Sequence, residues 1–287
     1  ISIIVLFILL GNLQSANAVD VLPEPFFKYL GSKYLANPGV ILIDGSSNEI
    51  VYQSGADKPR TPASVLKVIS TSSIALTLDT ATVFKTAIYK TEKKGVFVIW
   101  GDNDPWITSN AKYRDANKRA YMPALIKAAF ASDKSLKKIT LVYKGVNNSD
   151  ILYAKRALNR RSSVAYKPLS KTVEIESLIT EKITEVSSPP LQKMIRFALL
   201  YSDNVLSQRI AMLATGLNGY PLNRTGLNEM INAKISGIGV DTTGMKLVDG
   251  SGLGGENRVS AKTVSQLLLK IKTEPQLKVI YDSLPIS

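Results

Sequence analysis

Two short segments that read as helix starts flank a long stretch of different texture. They are Thr61-Pro62-Ala63-Ser64-Val65-Leu66-Lys67 and Tyr201-Ser202-Asp203-Asn204. That discontinuity constrains the fold more than any other feature of the chain. Pro62 suits the first turn of a helix running to about residue 78, because a proline there forfeits only an N–H that has no partner. From Asp79 to Thr184 lysines are dense, and strand-like runs recur at 83–89, 96–100, 139–143 and 172–178, with a helical run at 122–131. This stretch reads as an inserted α+β module, or as a set of long excursions from the main sheet.

The flanks read more simply. A short amphipathic helix is expected over 23–35. A buried strand over 39–44, turn chemistry at Gly45-Ser46-Ser47-Asn48 and a second strand over 49–53 form a hairpin. Ser187-Ser188-Pro189-Pro190 marks a boundary. Helical stretches follow at 191–201 and 205–215, with Ser202-Asp203-Asn204 between them. Asp249-Gly250-Ser251-Gly252-Leu253-Gly254-Gly255 is a glycine-rich loop, and Ser260 is placed to cap a helix over 260–272.

Composition narrows the chemistry. The 287 residues include no His and no Cys. A Ser-His-Asp triad, a thiol nucleophile and a disulfide are excluded, and a zinc site would need carboxylates alone. The formal net charge of +13 points to an anionic partner, such as a wall polymer or an acidic membrane surface, or to a merely basic surface. No block interleaving Arg with aromatics supports nucleic acid. Residues 1–18 read as an export signal. An apolar run from Ile3 to Leu10, too short to span a bilayer, precedes the small-x-small site Ala16-Asn17-Ala18. The alternative is a buried N-terminal helix. Export implies an extracytoplasmic place of action.

A serine hydroxyl is a poor nucleophile until a base takes its proton. With no histidine, lysine is the candidate base. In Ser-x-x-Lys on a helix the two side chains share a face, so the Lys67 amine can reach the Ser64 oxygen. A lysine neutral at pH 7 costs about 4–5 kcal/mol from its reference pKa, and burial or a neighbouring cation lowers that cost. The motif also occurs at Ser109/Lys112 and Ser135/Lys138, in polar surroundings. Only Ser64/Lys67 has Pro62 at its start and Val65, Leu66, Val68 and Ile69 around it. Ser64 also reads as an ordinary helix-start serine, and Ser202-Asp203-Asn204 as an inter-helix cap. In the functional reading Ser202 relays a proton to the leaving group, while Asn204 holds a substrate amide and Lys67. The glycine-rich loop lacks the phosphate-loop pattern.

Pro62-Ala63-Ser64-x-x-Lys67, then Ser202-Asp203-Asn204, then Asp249-Gly250-Ser251-Gly252-Leu253 with Glu256-Asn257-Arg258-Val259-Ser260 resembles the class C low-molecular-mass penicillin-binding proteins. These are D-alanyl-D-alanine carboxypeptidases and endopeptidases. Gly101-Asp102-Asn103-Asp104-Pro105 is similar to a Gly-Gly-Asp-Pro stretch of that family. The resemblance implies an α/β fold, an α+β sandwich of the penicillin-binding and serine β-lactamase type. Residues 19–80 and 185–287 would form the acyl-serine domain and 81–184 an inserted subdomain. It further implies that Ser64 is acylated, Lys67 is the base, and Ser202 and Asn204 complete the second motif. Asp203, Asp249 and Ser251 are placed with substrate binding. Peptidoglycan stem peptides are the implied substrate, β-lactams the implied acylating inhibitors, and no metal or cofactor is implied.

The family's third motif, Lys-Thr-Gly on a strand, does not occur in the sequence. Lys262-Thr263-Val264 falls in an expected helix and lacks the glycine. In the family the motif follows a segment similar to Leu284-Pro285-Ile286, so the expectation is a fragment ending before it. Two other functions remain open: a serine β-lactamase, and an inactive basic wall-binding protein on the same scaffold.

Overall fold

A computed structural model describes residues 24–284. The expected export signal over 1–18 and the terminal Pro285-Ile286-Ser287 lie outside the described residues. In chain order the first elements are helix α1 (Glu24–Leu30), strands β1 (Val40–Ile43) and β2 (Ile50–Ser54), and helix α2 (Leu66–Ala75). There follow β3 (Lys85–Lys90), β4 (Val96–Gly101), α3 (Ala111–Asn117), α4 (Met122–Ser132), β5 (Ile139–Lys144), α5 (Asn148–Ala157), β6 (Val164–Pro168) and β7 (Glu181–Ser187). The chain ends in helices α6 (Leu191–Leu200), α7 (Asn204–Leu217), α8 (Arg224–Gly237), α9 (Ala261–Thr273) and α10 (Lys278–Tyr281). No described helix is long and apolar enough to cross a membrane. These elements form two compact units. One comprises residues up to Leu78 and from Ile195 onward, the other Asp79–Met194.

The first unit is built around α2. Leu66, Ile69, Ile74 and Ala75 are buried, but so are Lys67, Ser70, Thr71, Ser72 and Ser73 on the remaining faces. A helix buried all round needs small side chains, so that neighbouring helices can approach. Helices α7, α8, α9 and α10 pack against it. Two of its hydroxyls turn back on the backbone: Thr71 Oγ1 donates to the Lys67 carbonyl at 2.7 Å and Ser73 Oγ to the Ser70 carbonyl at 2.7 Å, while Ser70 and Ser72 Oγ have no partner among the described residues. The expected hairpin forms as β1 antiparallel to β2. The expected helix over 23–35 is shorter, because turns at Gly31 and Ser32 end it.

The second unit holds a five-stranded mixed sheet in the order β6-β5-β4-β3-β7, with β4-β5 and β5-β6 parallel and the other pairs antiparallel. Alternation sorts its residues. Ile88, Phe97, Ile99, Leu141, Tyr143 and Val164 face the helices α4 and α5. Val98 and Val142 point the other way. The expected strand at 172–178 is instead a short 3₁₀ turn, Ile175–Ser177. Its apolar spacing serves burial rather than pairing, since Ile175 is buried against Val98 and Val142. The reading also missed β6 and β7. β7 is an edge strand carrying Glu181, Lys182 and Glu185, charges that discourage further strand addition.

The parallel strands β4 and β5 meet closely at their ends. Gly145 has φ +69°, and a Cβ there would lie 1.7 Å from the Gly101 carbonyl oxygen. This approach seats the turn that follows: Asn103 N donates to the Gly145 carbonyl at 2.8 Å. In the same turn Asp104 is buried and accepts from Trp106 N at 2.8 Å and Ser188 Oγ at 2.5 Å. Gly145→Ala should therefore destabilise the chain by about 2–4 kcal/mol, through left-handed strain and a backbone clash together. Urea unfolding measures it, and a loss under about 0.5 kcal/mol would show that the two strands do not meet this way.

Candidate active site

Ser64 lies in a 3₁₀ turn, Ala63–Val65, that leads directly into α2, and Lys67 is the second residue of that helix. The turn rises on a strained residue, since Ala63 has φ +47°. Ser64 is exposed, whereas Lys67 is 2% exposed. Their side chains meet as the i, i+3 spacing requires: Lys67 Nζ lies 3.0 Å from Ser64 Oγ. The amine also donates to the Ser251 carbonyl at 2.8 Å.

The second motif arrives at the junction of α6 and α7. Asp203 N donates to the Ala198 carbonyl across the end of α6, a Schellman closure with Ser202 in the left-handed position at φ +52°. Glycine normally fills that position; here a serine fills it and points its hydroxyl at Ser64. Ser202 Oγ donates to Ser64 Oγ at 2.9 Å. Asp203 then caps α7, accepting from Leu206 N at 2.9 Å. Asn204 opens α7 half-buried, and its side chain makes no hydrogen bond to Ser64 or Lys67 among the described residues.

The glycine-rich loop completes the surroundings of Lys67. Asp249 Oδ1 accepts from Ser251 N, Ser251 Oγ and Gly252 N, each at 2.7 Å. Asp249 Oδ2 accepts from Gly254 N at 2.6 Å and Asn257 Nδ2 at 2.8 Å. The loop is wedged between the two motif segments. A Cβ on Gly252 would lie 1.8 Å from the Ala63 carbonyl oxygen, and one on Gly250 2.4 Å from the Ala211 Cβ of α7. Arg258 Nη1 binds Thr61 Oγ1 at 3.0 Å, and Arg60 and Val259 exchange two backbone hydrogen bonds of 2.9 Å.

Electrostatics make deprotonation of Lys67 easier than for an ordinary lysine. Burial pushes its amine below the ordinary lysine value, with the Asp249 and Asp203 carboxylates pulling the other way. Burial alone would raise Asp249. The hydrogen bonds from Ser251, Asn257 and Gly254 outweigh it and hold the carboxyl far below the usual range.

The structure thus brings Ser64, Lys67 and Ser202 into one hydrogen-bonded set, with Asp249 and Ser251 beside Lys67. The other two Ser-x-x-Lys pairs do not form: Ser109 Oγ donates to the Asp150 carbonyl and Ser135 Oγ to Asp133. Lys262 lies on α9, paired with Asp241 at 3.0 Å and Asp57 at 3.4 Å. Sequence reasoning missed the Ser251 main-chain carbonyl as a partner of Lys67, because a carbonyl carries no residue-type signal. It also missed Gln208, whose Oε1 accepts from Gly250 N at 2.6 Å. Among the described residues no group of three or more His, Cys, Asp or Glu could hold a metal ion.

Comparison with known proteins gives the same direction. Residues 153–287 match the D-Ala-D-Ala carboxypeptidase 3 (S13) family. Carboxypeptidase DacB of Mycolicibacterium smegmatis is 28% identical over 303 residues, covering 88% of this chain and 66% of the relative. The chain thus spans just under two thirds of that relative's length. Penicillin-binding protein 4 of Haemophilus influenzae, solved with a novel β-lactam, superposes with a TM-score of 0.66 at 17% identity, over 95% of this chain and 81% of that one. A predatory peptidoglycan endopeptidase from Bdellovibrio bacteriovorus gives 0.50 at 16% identity, over 84% and 69%. The expected penicillin-binding fold, a mixed α+β architecture, is the fold observed. The chain is thus similar over residues 153–287 to the D-Ala-D-Ala carboxypeptidase 3 (S13) family, and it shares the fold of penicillin-binding protein 4.

Proposed function

We propose that this chain carries the acyl-serine machinery of a D-Ala-D-Ala carboxypeptidase or endopeptidase acting on peptidoglycan peptides. The observation that carries this reading is the convergence of Lys67 Nζ and Ser202 Oγ on Ser64 Oγ, at 3.0 and 2.9 Å. Lys67 takes the Ser64 proton as Ser64 Oγ attacks the carbonyl between the two D-alanines. Ser202 passes its proton to the departing amine and takes one in turn from the Lys67 ammonium, which restores the neutral amine, and D-Ala leaves. Water then attacks the acyl-Ser64 ester, with Lys67 again the base. The reading includes Asn204 as a holder of the substrate amide, and the division into an acyl-serine domain and an inserted subdomain. It places the activity outside the cytoplasm, where peptidoglycan lies, and takes residues 1–18 as the export signal.

A β-lactamase reading needs a carboxylate available to activate the deacylating water. The carboxylates that act on Lys67, Asp249 and Asp203, are engaged by loop donors and by the cap of α7. That favours the peptidase over the β-lactamase.

The charge supports a second element of the reading, binding to an anionic wall polymer. On the face of β4, β5 and β6 away from α4 and α5, a groove of about 640 Å³ is lined by Lys93, Lys94, Lys138 and Lys167, with Val142 and Ala165 in its wall. Lys94 pairs with Asp133 at 3.2 Å, and the other three lysines make no ion pair among the described residues. Ammonium groups on an exposed groove fit phosphodiester or carboxylate chains.

Four outcomes test these readings. Intact-mass spectrometry after incubation with benzylpenicillin should give one adduct, mapping to Ser64, and Ser64→Ala should give none while remaining folded. Labelling that survives the substitution would remove Ser64 from the role of nucleophile. Lys67→Ala should slow acylation by about 10²–10⁴-fold. In the unsubstituted chain acylation should rise with pH and level off above the lowered Lys67 pKa, because only the neutral amine accepts the proton. A rate that falls as pH rises through that region would contradict a lysine base. Finally, co-sedimentation with wall material rich in anionic polymer should weaken steeply with added salt, and Lys93→Glu with Lys138→Glu should abolish it. Salt-independent sedimentation would argue against the groove, and equal binding to anionic lipid vesicles would assign it to a membrane surface.

A further inference from the structure

We propose that Asp249 is a positioning residue for Lys67. It gathers the 251–257 loop so that the Ser251 carbonyl holds the Lys67 amine against the Ser64 hydroxyl. The inference rests on the proposed role of Lys67 as base, and it gives Asp249 and Ser251 a part other than substrate binding.

A carboxylate offers about four lone-pair sites. Asp249 already receives five donors, all from residues 251–257. It has no acceptor capacity left for a substrate. Its partners are held in their turn. Asn257 is fully buried, and its Oδ1 accepts from Val248 N at 2.8 Å, which fixes its amide with Nδ2 toward Asp249. The Ser251 side chain is buried and donates to Asp249, so only its carbonyl is turned outward from the cluster, onto Lys67 Nζ. On either side Gly250 is pressed against Ala211 and Gly252 against Ala63. The carbonyl is thus set between the helix bearing the second motif and the turn bearing the nucleophile.

The chemistry needs such a partner. A neutral amine has two N–H bonds and one lone pair, and it rotates freely about Cε–Nζ. A carbonyl that accepts one N–H restricts that rotation and turns the lone pair toward Ser64. In the transfer the Ser64 O–H bond breaks, an Nζ–H bond forms, and the oxygen's electron pair goes to the substrate carbonyl carbon. The resulting ammonium keeps its bond to Ser251, and the nearby Asp249 charge offsets the new positive charge.

The test is the pH–rate profile for acylation by benzylpenicillin, read by intact mass, in the chain and in Asp249→Asn. Asparagine keeps the size, removes the charge, and cannot accept from Gly254 N and Asn257 Nδ2 while its NH₂ faces them. Both losses destabilise the Lys67 ammonium. The acid limb should move to lower pH, and the plateau rate should fall about 10–100-fold as the amine loses its orientation. Ser251→Ala removes one of the five donors and keeps the carbonyl. It should move the limb the same way by less, and it serves if Asp249→Asn does not fold. An unmoved limb, or a rate loss matched by the loss of folded protein, would overturn the proposal. If the chain itself is not acylated, the functional reading fails separately. The titration midpoint of Lys67, followed by ¹³Cε NMR and assigned with Lys67→Met, then decides: a lower midpoint in Asp249→Asn supports the positioning role, and an equal midpoint removes it.

Discussion

The site depends on one buried amine whose recorded hydrogen bonds go to a hydroxyl and a carbonyl rather than to a carboxylate. Lys67 Nζ donates to Ser64 Oγ and to the Ser251 carbonyl, while Asp249 and Asp203 act on it only through their charge. A carboxylate in direct contact would fix the proton on the amine, as an ion pair does. Burial without charge would leave the ammonium, once formed, without compensation. Neutral partners close by and anions further off let the amine give and take a proton at moderate cost. The chain has no histidine, and in the proposed function this lysine takes the part an imidazole would otherwise play.

Two of the seven non-glycine residues with positive φ among the described residues flank the candidate site, the others being Asn37, Asn48, Asn103, Lys118 and Asn159. Ala63 and Ser202 both adopt left-handed backbone conformations that glycine would adopt at less cost, each about 1–2 kcal/mol for a residue with a Cβ. One precedes Ser64 and the other is Ser202 itself. At Ser202 the Schellman closure holds the strain, and at Ala63 the Gly252 contact and the Arg60–Val259 pairing hold it. Removing a supporting contact would relax the turn, and the hydroxyl would leave its line with Lys67. Rigid support around a strained side chain is the pattern expected of pre-organisation.

Much of this was legible in the sequence, for reasons that differ by element. The i, i+3 spacing of Ser64 and Lys67 fixes one helical face whatever surrounds it. Pro62 announces the turn before α2, and Ser260 caps α9 through Thr263 N at 3.0 Å as its position suggests. The apolar environment separated Ser64/Lys67 from the two polar Ser-x-x-Lys pairs. Elements decided by tertiary packing were harder to see. Helix α8, with its weak amphipathic pattern, was not read at all, and the 172–178 run has strand alternation but lies as a cover over Val98 and Val142. The partner of Lys67 was illegible for a deeper reason: it is a main-chain carbonyl, aimed by a carboxylate two residues earlier, and no residue type at position 251 encodes that direction.

The spacing of the two motifs raises the question of how α2 and α7 come together at all, with Asp79–Met194 between them. The answer lies in how the second unit begins and ends. Its first and last strands, β3 and β7, are hydrogen-bonded neighbours, with Lys85 opposite Ser187. Beyond them Leu191 N donates to the Thr82 carbonyl at 2.9 Å and Gln192 N to the Thr80 carbonyl at 2.8 Å. A folded insert whose ends are zipped together behaves, for the chain carrying it, like a short connection. Even as an unstructured loop, each doubling of its length would add only about 0.6 kcal/mol of closure entropy. With its ends paired, the insert sets the distance between Leu78 and Ile195 by its own folding. Within the first unit, Asn218 Nδ2 then ties the end of α7 to Thr77 Oγ1, just past α2, at 3.0 Å. The separation of Ser64 from Ser202 in sequence therefore costs the site little, because the pairing of β3 with β7 brings the chain back close to where it left.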